Sequence, residues 1–397
     1  MKLARILLIS IMMLGLTGCW SRVEVNDIAI VTAVGLDEME NGNIRLTLEV
    51  AIPNQLVPTG KGGGQGPTTF TASEKGATVM AAYRKLQEKL PRKVFFSHSR
   101  IILIGEKLAQ EGVSKVLDFF TRYPESRLND YIMVAKGKAA DLLEIQTKLE
   151  RVPSEEMREL TKREILVEVN LRDFTNMLLG TGIEPVAPQF KIKPLEVQDE
   201  SSFSAGGSQS SSEKYMSISG SGVFYRDQLV GWMDDIETRG VLWFHDKVKD
   251  GVITLKVPQK KGGGKVSTNI VRAKTEIQPK LNQDHLKIVV QVYAETALYE
   301  NDSKLNLKQP KAIRSLTMML EKQIQNRMDL ALDKAQQQFK SDIFGFGRAV
   351  YRKYPGKWRN DYKERWDQVF PKLEVKIVPN VVLERTGLTS ESLSGGK

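Results

Sequence analysis

Cysteine and histidine are scarce in this sequence. It has one cysteine, Cys19, and three histidines, His98, His245 and His285, among 397 residues. A single cysteine excludes an internal disulfide and any metal site built from several cysteines. The histidines lie far apart, and none belongs to an HExxH or HxH unit with a carboxylate at ligand spacing. The sequence therefore predicts no metal site.

Local signatures of catalysis are missing too. There is no GxSxG segment, and the glycine-rich stretches 60–66 and 262–265 are better explained as flexible loops than as phosphate-binding loops, because no Ser or Thr follows their lysines. Asp234 and Asp235 fit the first turn of a helix, where acids complement the helix dipole, better than a catalytic pair. We therefore predict no catalytic residues and a protein that is not an enzyme.

Long apolar runs are absent after the N-terminus. The uncharged run Ile6–Leu16 follows Lys2 and Arg5 and is about half of the ~20 residues that a spanning helix needs. This layout is typical of an export signal. Every later apolar segment is interrupted by a charge, Gly or Pro, so we expect a body that lies outside the cytoplasm.

The end of that run indicates lipidation. Leu16, Thr17 and Gly18 precede Cys19, an arrangement typical of a bacterial lipobox with a signal peptide at 1–18. The sulfur would carry diacylglycerol, with an N-acyl chain such as palmitate on the same residue, and no other cofactor is predicted. Acyl chains contribute ~0.8 kcal/mol per buried CH₂, enough for a stable membrane anchor. The alternative is a plain cleaved signal that leaves Cys19 as a free thiol.

The charge balance is basic. Without Lys2 and Arg5 the chain keeps 56 basic against 48 acidic residues, a formal charge of +8. Such a surface on a tethered protein would be drawn to anionic lipid headgroups. The sequence shows no nucleic-acid-binding motif, and we predict no nucleic-acid partner.

The apolar pattern predicts mixed α/β structure. Stretches 28–36 and 43–52 form a hairpin around Asn41-Gly42, and strand and helix patterns then alternate to about residue 140. The predicted units are an N-terminal α/β domain at 19–140, a small middle domain at 141–198 with a helix capped by Ser154, a Ser/Gly linker at 199–214, a C-terminal domain at 215–388 and a tail at 389–397.

The C-terminal domain is predicted to be a largely antiparallel sheet packed by a long helix. Apolar residues from Ile313 to Phe339 recur every three or four positions, which makes one stripe along about seven helical turns. The fold class is therefore α+β, with mixed α/β domains. Segment 342–375 interleaves aromatic and basic residues and has two interpretations: an interaction surface, or an aromatic half in the core with a basic half in water. The candidate partner-binding residues are Arg348, Tyr351, Arg352, Trp358 and Trp366.

Three stretches resemble the Ger(x)C family, the lipoprotein C subunits of spore germinant receptors. They are GCWSRVEVNDIAIVTAVGLD at the lipidation site, GSGVFYRDQLVGWMDDIETRGVLW at 220–243, and DIFGFGRAVYRKYPGKW near the end, followed by ERTGL at 384–388. The resemblance implies three α/β domains, no enzymatic activity, and attachment through Cys19 to the outer surface of the spore inner membrane. It also implies assembly with the integral membrane A and B subunits of the receptor.

Two other functions stay open on the sequence. A solute-binding lipoprotein that captures the germinant directly would need a deep cleft between two similar lobes. A surface hydrolase would need converging carboxylates or histidines in a pocket.

Overall fold

The computed structural model describes residues 24–56, 66–145, 147, 150–163, 166–194, 214–283 and 285–385. The lipobox, the tail and nearly all of the Ser/Gly linker lie outside these ranges. Those predictions therefore stay predictions.

Thirteen strands lie in the described part of the chain. They are β1 (Ile28–Glu38), β2 (Ile44–Ala51), β3 (Thr69–Gly76), β4 (Lys93–Phe95), β5 (Ile101–Gly105), β6 (Tyr131–Ala135), β7 (Val186–Pro194), β8 (Lys214–Tyr225), β9 (Gln228–Met233), β10 (Val252–Lys256), β11 (Lys265–Asn282), β12 (His285–Asn301) and β13 (Glu374–Arg385).

Helices connect and cover these strands. They are α1 (Pro53–Leu56), α2 (Val79–Lys89), α3 (Glu106–Glu111), α4 (Ser114–Arg122), α5 (Ala139–Leu143), α6 (Pro153–Thr161), α7 (Leu171–Leu178), α8 (Asp235–Phe244), α9 (Pro310–Asp333), α10 (Phe346–Lys353), α11 (Pro355–Lys357) and α12 (Trp366–Val369). Two π-helical segments, Lys334–Phe339 and Trp358–Tyr362, continue α9 and α11.

The first sheet has the order β3-β2-β1-β5-β6-β7-β8-β9, with β4 also paired to β1. Strands β1, β5, β6 and β7 are parallel, and the hairpins at both ends are antiparallel. In the short loop between β1 and β2, the N–H of Met39 donates to the carbonyl oxygen of Asn43, and Asn41 at φ 66° and Gly42 at φ 70° take the left-handed conformation that tight hairpin loops favour.

The second sheet has the order β10-β11-β12-β13, and only the β12–β13 pair is parallel. One face packs on α9, whose buried stripe consists of Leu316, Leu320, Ile324, Met328 and Ala331. At the outer edge, Pro379 in β13 has no amide hydrogen, and the N–H of Val381 donates to Oε1 of Glu321 at 3.1 Å. This edge is therefore blocked at both positions.

The fold class predicted from the sequence is confirmed: the molecule is mixed α/β, with a largely antiparallel C-terminal sheet under one long helix. The predicted boundary at 214/215 falls inside the first sheet, because β8 and β9 pair onto β7. The division into domains stays a prediction. The strands that follow the linker nevertheless extend the N-terminal sheet.

Two local predictions are wrong. Ser154 does not cap its helix: α6 begins at Pro153 with Val152 as its N-cap, and the N–H of Ser154 donates to Glu49. The apolar spacing of residues 108–120 predicts one helix, but the structure has two, because Gly112 takes φ 128° and ends α3.

Candidate interaction surface

Helix α10 begins at a buried carboxylate. Asp342 Oδ1 accepts hydrogen bonds from the N–H groups of Gly345 (3.0 Å) and Phe346 (3.1 Å), and Oδ2 accepts from the N–H of Gly347 at 2.8 Å. The indole Nε1–H of Trp366 donates to the same Oδ2. Burial raises the pKa of Asp342 to about 6, although these four hydrogen bonds oppose the shift.

The two tryptophans among the predicted partner-binding residues are core residues. Trp358 is 2% exposed and Trp366 is 7% exposed, and their ring centroids lie 5.1 Å apart. Gly347 allows this packing, because a Cβ there would lie 2.7 Å from Trp358 Cη2 and 2.9 Å from Trp366 Cε2. Neither indole is available to a partner, so the prediction is corrected for these two residues.

The other three predicted residues lie at the surface of α10. Tyr351 is 44% exposed, Arg352 is exposed, and Arg348 is half-buried. Arg348 Nη2 donates to the carbonyl oxygen of Asn176 at 3.1 Å, near the C-terminus of α7, where the helix dipole favours a cation.

Leu179, just after α7, is 80% exposed. It precedes Gly180, against which the Arg348 guanidinium lies. Arg359, in the π-helical segment after α11, is also exposed. We name Leu179, Arg348, Tyr351, Arg352 and Arg359 the basic surface. Its role in binding stays a prediction.

The segment around α10 is also hydrogen-bonded to the first sheet. The N–H of Glu184, just before β7, donates to the carbonyl oxygen of Asp342 at 2.9 Å, and the N–H of Arg348 donates to Gly182 at 2.7 Å. The hydroxyl of Tyr225, at the end of β8, donates to Asp367 Oδ2 at 2.5 Å. These bonds fix the start of α10 beside one edge of the first sheet.

Glu184 is a titratable group at the contact between α10 and the first sheet. Its Oε2 accepts from the N–H of Arg226 at 2.6 Å. The pKa of Glu184 is raised to about 7, chiefly by burial and in smaller part by the nearby carboxylates of Asp367 and Asp342, against the hydrogen bond from Arg226, which lowers it.

The stretch WMDDIETRG also has a structural role. Asp234 caps α8 by accepting from the N–H groups of Ile236 and Glu237, both at 2.8 Å, and Glu237 Oε2 accepts from the N–H of Asp234. This is a complete capping box, as helix-starting acids predict. Glu237 also binds Lys334 Nζ at 2.7 Å, at the end of the long helix. The carboxylates therefore hold α8 against α9.

Sequence reasoning missed two buried carboxylates in the first sheet. Asp37 accepts from the N–H groups of Ala139 (2.7 Å) and Ala140 (3.0 Å), and Glu49 accepts from the hydroxyl of Thr32 at 2.5 Å. Burial raises the pKa of both. An acid within an otherwise apolar strand is the available signal, but the partners of Asp37 lie about a hundred residues away in the sequence.

The histidines do not converge. His245 is half-buried, its Nε2 lies 2.7 Å from the carbonyl oxygen of Ile343, and desolvation lowers its pKa. His285 Nε2 lies 3.2 Å from Glu374 Oε2. In the part of the chain that the structure describes, no three His, Cys, Asp or Glu side chains form a group that could hold a metal ion.

Two hollows border the first sheet. One of about 240 Å³ is mainly apolar and is lined by residues that include Val50, Phe70 and Leu90. The other, of about 680 Å³, is also lined in part by Phe70. The two sheets differ in strand number and order, so they do not form the similar lobes that the solute-binding hypothesis requires. Among the described residues, no helix has the length and apolar character of a membrane span.

Two protein-family models match this chain, one in each half. The spore germination protein N-terminal domain matches residues 21–192, and the spore germination B3/GerAC-like C-terminal domain matches residues 219–387. Spore germination protein KC of Bacillus subtilis (strain 168) is 28% identical over 98% of this chain and 97% of its own length. Spore germination protein B3 of the same strain is 24% identical, over 92% of this chain and 93% of its own.

The likeness extends to a solved structure. The crystal structure of the GerBC protein matches with a TM-score of 0.57 at 20% sequence identity, and the match covers 88% of this chain and 96% of the other. The fold is therefore shared along nearly the whole chain.

Proposed function

Because this chain belongs to the GerAC (Ger(x)C) family of spore germination proteins, we propose that it is the lipid-anchored, non-enzymatic C subunit of a nutrient germinant receptor. Diacylglycerol and an N-acyl chain on Cys19 would hold it on the outer surface of the spore inner membrane. Its partners there would be the integral membrane A and B subunits.

The observation that carries the proposal is the extent of the likeness. The match to spore germination protein KC covers nearly all of both chains, so the resemblance reaches beyond one module. A role in germination follows directly from it. The finer points, which are the anchor, the receptor and the membrane subunits, are proposed from the lipobox and from the motifs that carry the resemblance.

The chemistry of the buried carboxylates supports a non-enzymatic role. Asp37 and Asp342 each accept hydrogen bonds from backbone N–H groups at the start of a helix, and Glu49 accepts from Thr32 and Ser154. Acids with raised pKa values often mark active sites, but ion-pair and capping networks perturb them as well. Here each carboxylate is engaged by the protein's own donors.

The proposed mechanism is scaffolding. An anchor at Cys19 confines the body to a thin layer above the bilayer, which raises the effective concentration for weak contacts with the membrane subunits. The basic surface is where we place the contact of the body with this membrane layer.

Replacement of Cys19 by Ala tests the proposal. We expect the variant to lose the lipid, to leave the membrane fraction and to slow nutrient germination. Thr17→Ser is the matched control, because it keeps a small residue in the lipobox and should retain both lipid and germination. Mass spectrometry of the native N-terminal peptide checks the modification directly. An unmodified Cys19 in spore membranes, or normal germination of the Ala variant, would contradict the proposal.

A further inference from the structure

The topology places the N-terminal segment and helix α10 at the same edge of the first sheet. Strands β1, β5, β6 and β7 are parallel, so their N-terminal ends point to the same side of the sheet. Ile101 lies opposite Ala33 and Tyr131, and β1 extends five residues beyond this level to Ile28. The hydrogen bond from Glu184 to Asp342 sets the start of α10 just beyond that edge. Three strand spacings of ~4.8 Å separate β1 from β7, so the axes of these two strands lie about 15 Å apart.

Chain length limits how far this edge can lie from a lipid at Cys19. Five peptide units connect Cys19 to Glu24, and an extended chain spans at most ~3.4 Å per residue, or about 17 Å. This step rests on the proposed anchor. It brings the edge with the basic surface within reach of the bilayer.

The charge around α10 is strongly one-sided. Residues 346–365 contain seven Lys and Arg but only Asp361 and Glu364 as acids. Lys357 is paired with Asp361 at 3.0 Å. Within the described ranges, the exposed Arg352 and Arg359 make no ion pair with an acid. These guanidinium groups are free to bind an anionic surface.

Apolar side chains accompany these cations. Leu179 and Tyr351 are exposed on the basic surface beside Arg348 and Arg352. Exposed apolar and aromatic residues flanked by cations are typical of protein segments that lie at the water–lipid boundary. Arg also binds phosphate oxygens in a bidentate geometry, which suits a layer of phospholipid headgroups.

We propose that the basic surface binds the anionic phospholipid headgroups of the membrane to which the chain is tethered. The lipid at Cys19 fixes one point, and the basic surface, beside the start of β7 and three strands away from β1, supplies a second point. Two contacts define how the body stands on the bilayer, whereas a single tether leaves it free to rotate.

Vesicle binding of the unlipidated chain tests this proposal independently of the anchor. The protein is residues 19–397 with Cys19→Ser. The vesicles contain either phosphatidylcholine alone or phosphatidylcholine with roughly 30% phosphatidylglycerol, which gives the surface a negative potential. Each basic residue near an anionic surface contributes about fivefold in binding. We therefore expect cosedimentation with the anionic vesicles only, weakened by salt. Arg352→Glu with Arg359→Glu should reduce it by at least about 25-fold.

A second pair of charge reversals is the control. Lys138→Glu with Lys311→Glu makes the same change in net charge at exposed sites away from the basic surface. Lys138 follows the C-terminal end of β6, opposite to the end that faces the basic surface. Lys311 lies in the first turn of α9, about 33 Å along the helix from Asp333, the end from which the chain continues to α10. This variant should bind anionic vesicles nearly as well as the parent. Thermal unfolding confirms that both variants are folded.

Three results would overturn the proposal. They are equal binding to neutral and anionic vesicles, equal loss in both variants, and normal vesicle binding of the Arg352/Arg359 variant together with impaired germination. The last result would assign the surface to an acidic protein partner. If Cys19 proves unmodified but the vesicle results are as expected, the anchor fails and the headgroup site stands.

Discussion

The indole N–H of Trp366 donates to Oδ2 of Asp342 at 2.9 Å, inside the aromatic core of the C-terminal segment. Asp342 also accepts from the first N–H groups of α10, so one carboxylate links that helix to α12. This bond explains why the segment DIFGFG and a tryptophan about twenty residues later belong to one structural unit.

Replacement of Asp342 by Asn should destabilise the protein. Each carboxyl oxygen accepts from two donors, and the amide NH₂ must face two N–H groups whichever way it is turned. An unsatisfied buried donor costs about 1–3 kcal/mol, and loss of the buried charge offsets part of this, so we expect a net loss of about 2–4 kcal/mol at pH 7. Denaturant unfolding measures it. Glu364→Gln, at an exposed carboxylate, should change stability by less than about 0.5 kcal/mol, and an equal loss there would contradict this account.

Stability should fall with rising pH because of Glu184. Its pKa is raised from 4.5 to about 7, so the folded state binds more protons than the unfolded state between these values. The contribution of Glu184 is therefore fully present below about pH 4.5 and is lost as the pH rises to about 7. Glu184→Gln removes the charge beside Asp367 and Asp342.

We expect the Gln variant to be about 1–2 kcal/mol more stable than the parent at pH 8 and close to it at pH 4.5. Unfolding curves of both proteins at the two pH values provide the measurement. A difference that is the same at both values would show that packing, and not ionisation, governs this position.

Gly240 should tolerate no side chain. A Cβ at this residue would lie 2.3 Å from the carbonyl oxygen of Arg327 and 2.7 Å from the Cβ of Ala331, so Gly240→Ala must push α8 away from α9. We expect a loss of about 1–3 kcal/mol. Gly356→Ala is the matched control, because nothing lies within 4 Å of its Cβ position, and it should be neutral or slightly stabilising. Thermal unfolding of the two variants gives the comparison, and equal effects would refute the close-contact argument.

Local patterns predicted much of the fold. The β1–β2 hairpin follows from Asn41-Gly42 between apolar runs, and the stripe from Leu316 to Ala335 predicts the long helix. The capping acids before α8 also follow from the sequence, because capping depends on neighbours only three residues apart. These features need no knowledge of distant contacts.

Long-range pairing could not be predicted in this way. The pairing of β8 with β7 crosses the Ser/Gly-rich region, and a composition change there suggested a boundary. Tryptophan is common both in binding surfaces and in protein cores. Only tertiary packing shows that Trp358 and Trp366 belong to the core. Of the predicted partner-binding residues, Arg348, Tyr351 and Arg352 remain at the surface.

The proline at the outer edge of β13 affects how readily protein molecules that are crowded on one membrane surface associate. Tethered neighbours meet repeatedly in fixed orientation, which favours fibre-like association through any open strand. Pro379 offers no donor to an incoming strand, and Glu321 already occupies the donor of Val381. Two copies of this protein at high local concentration are therefore hindered from pairing their sheets through β13.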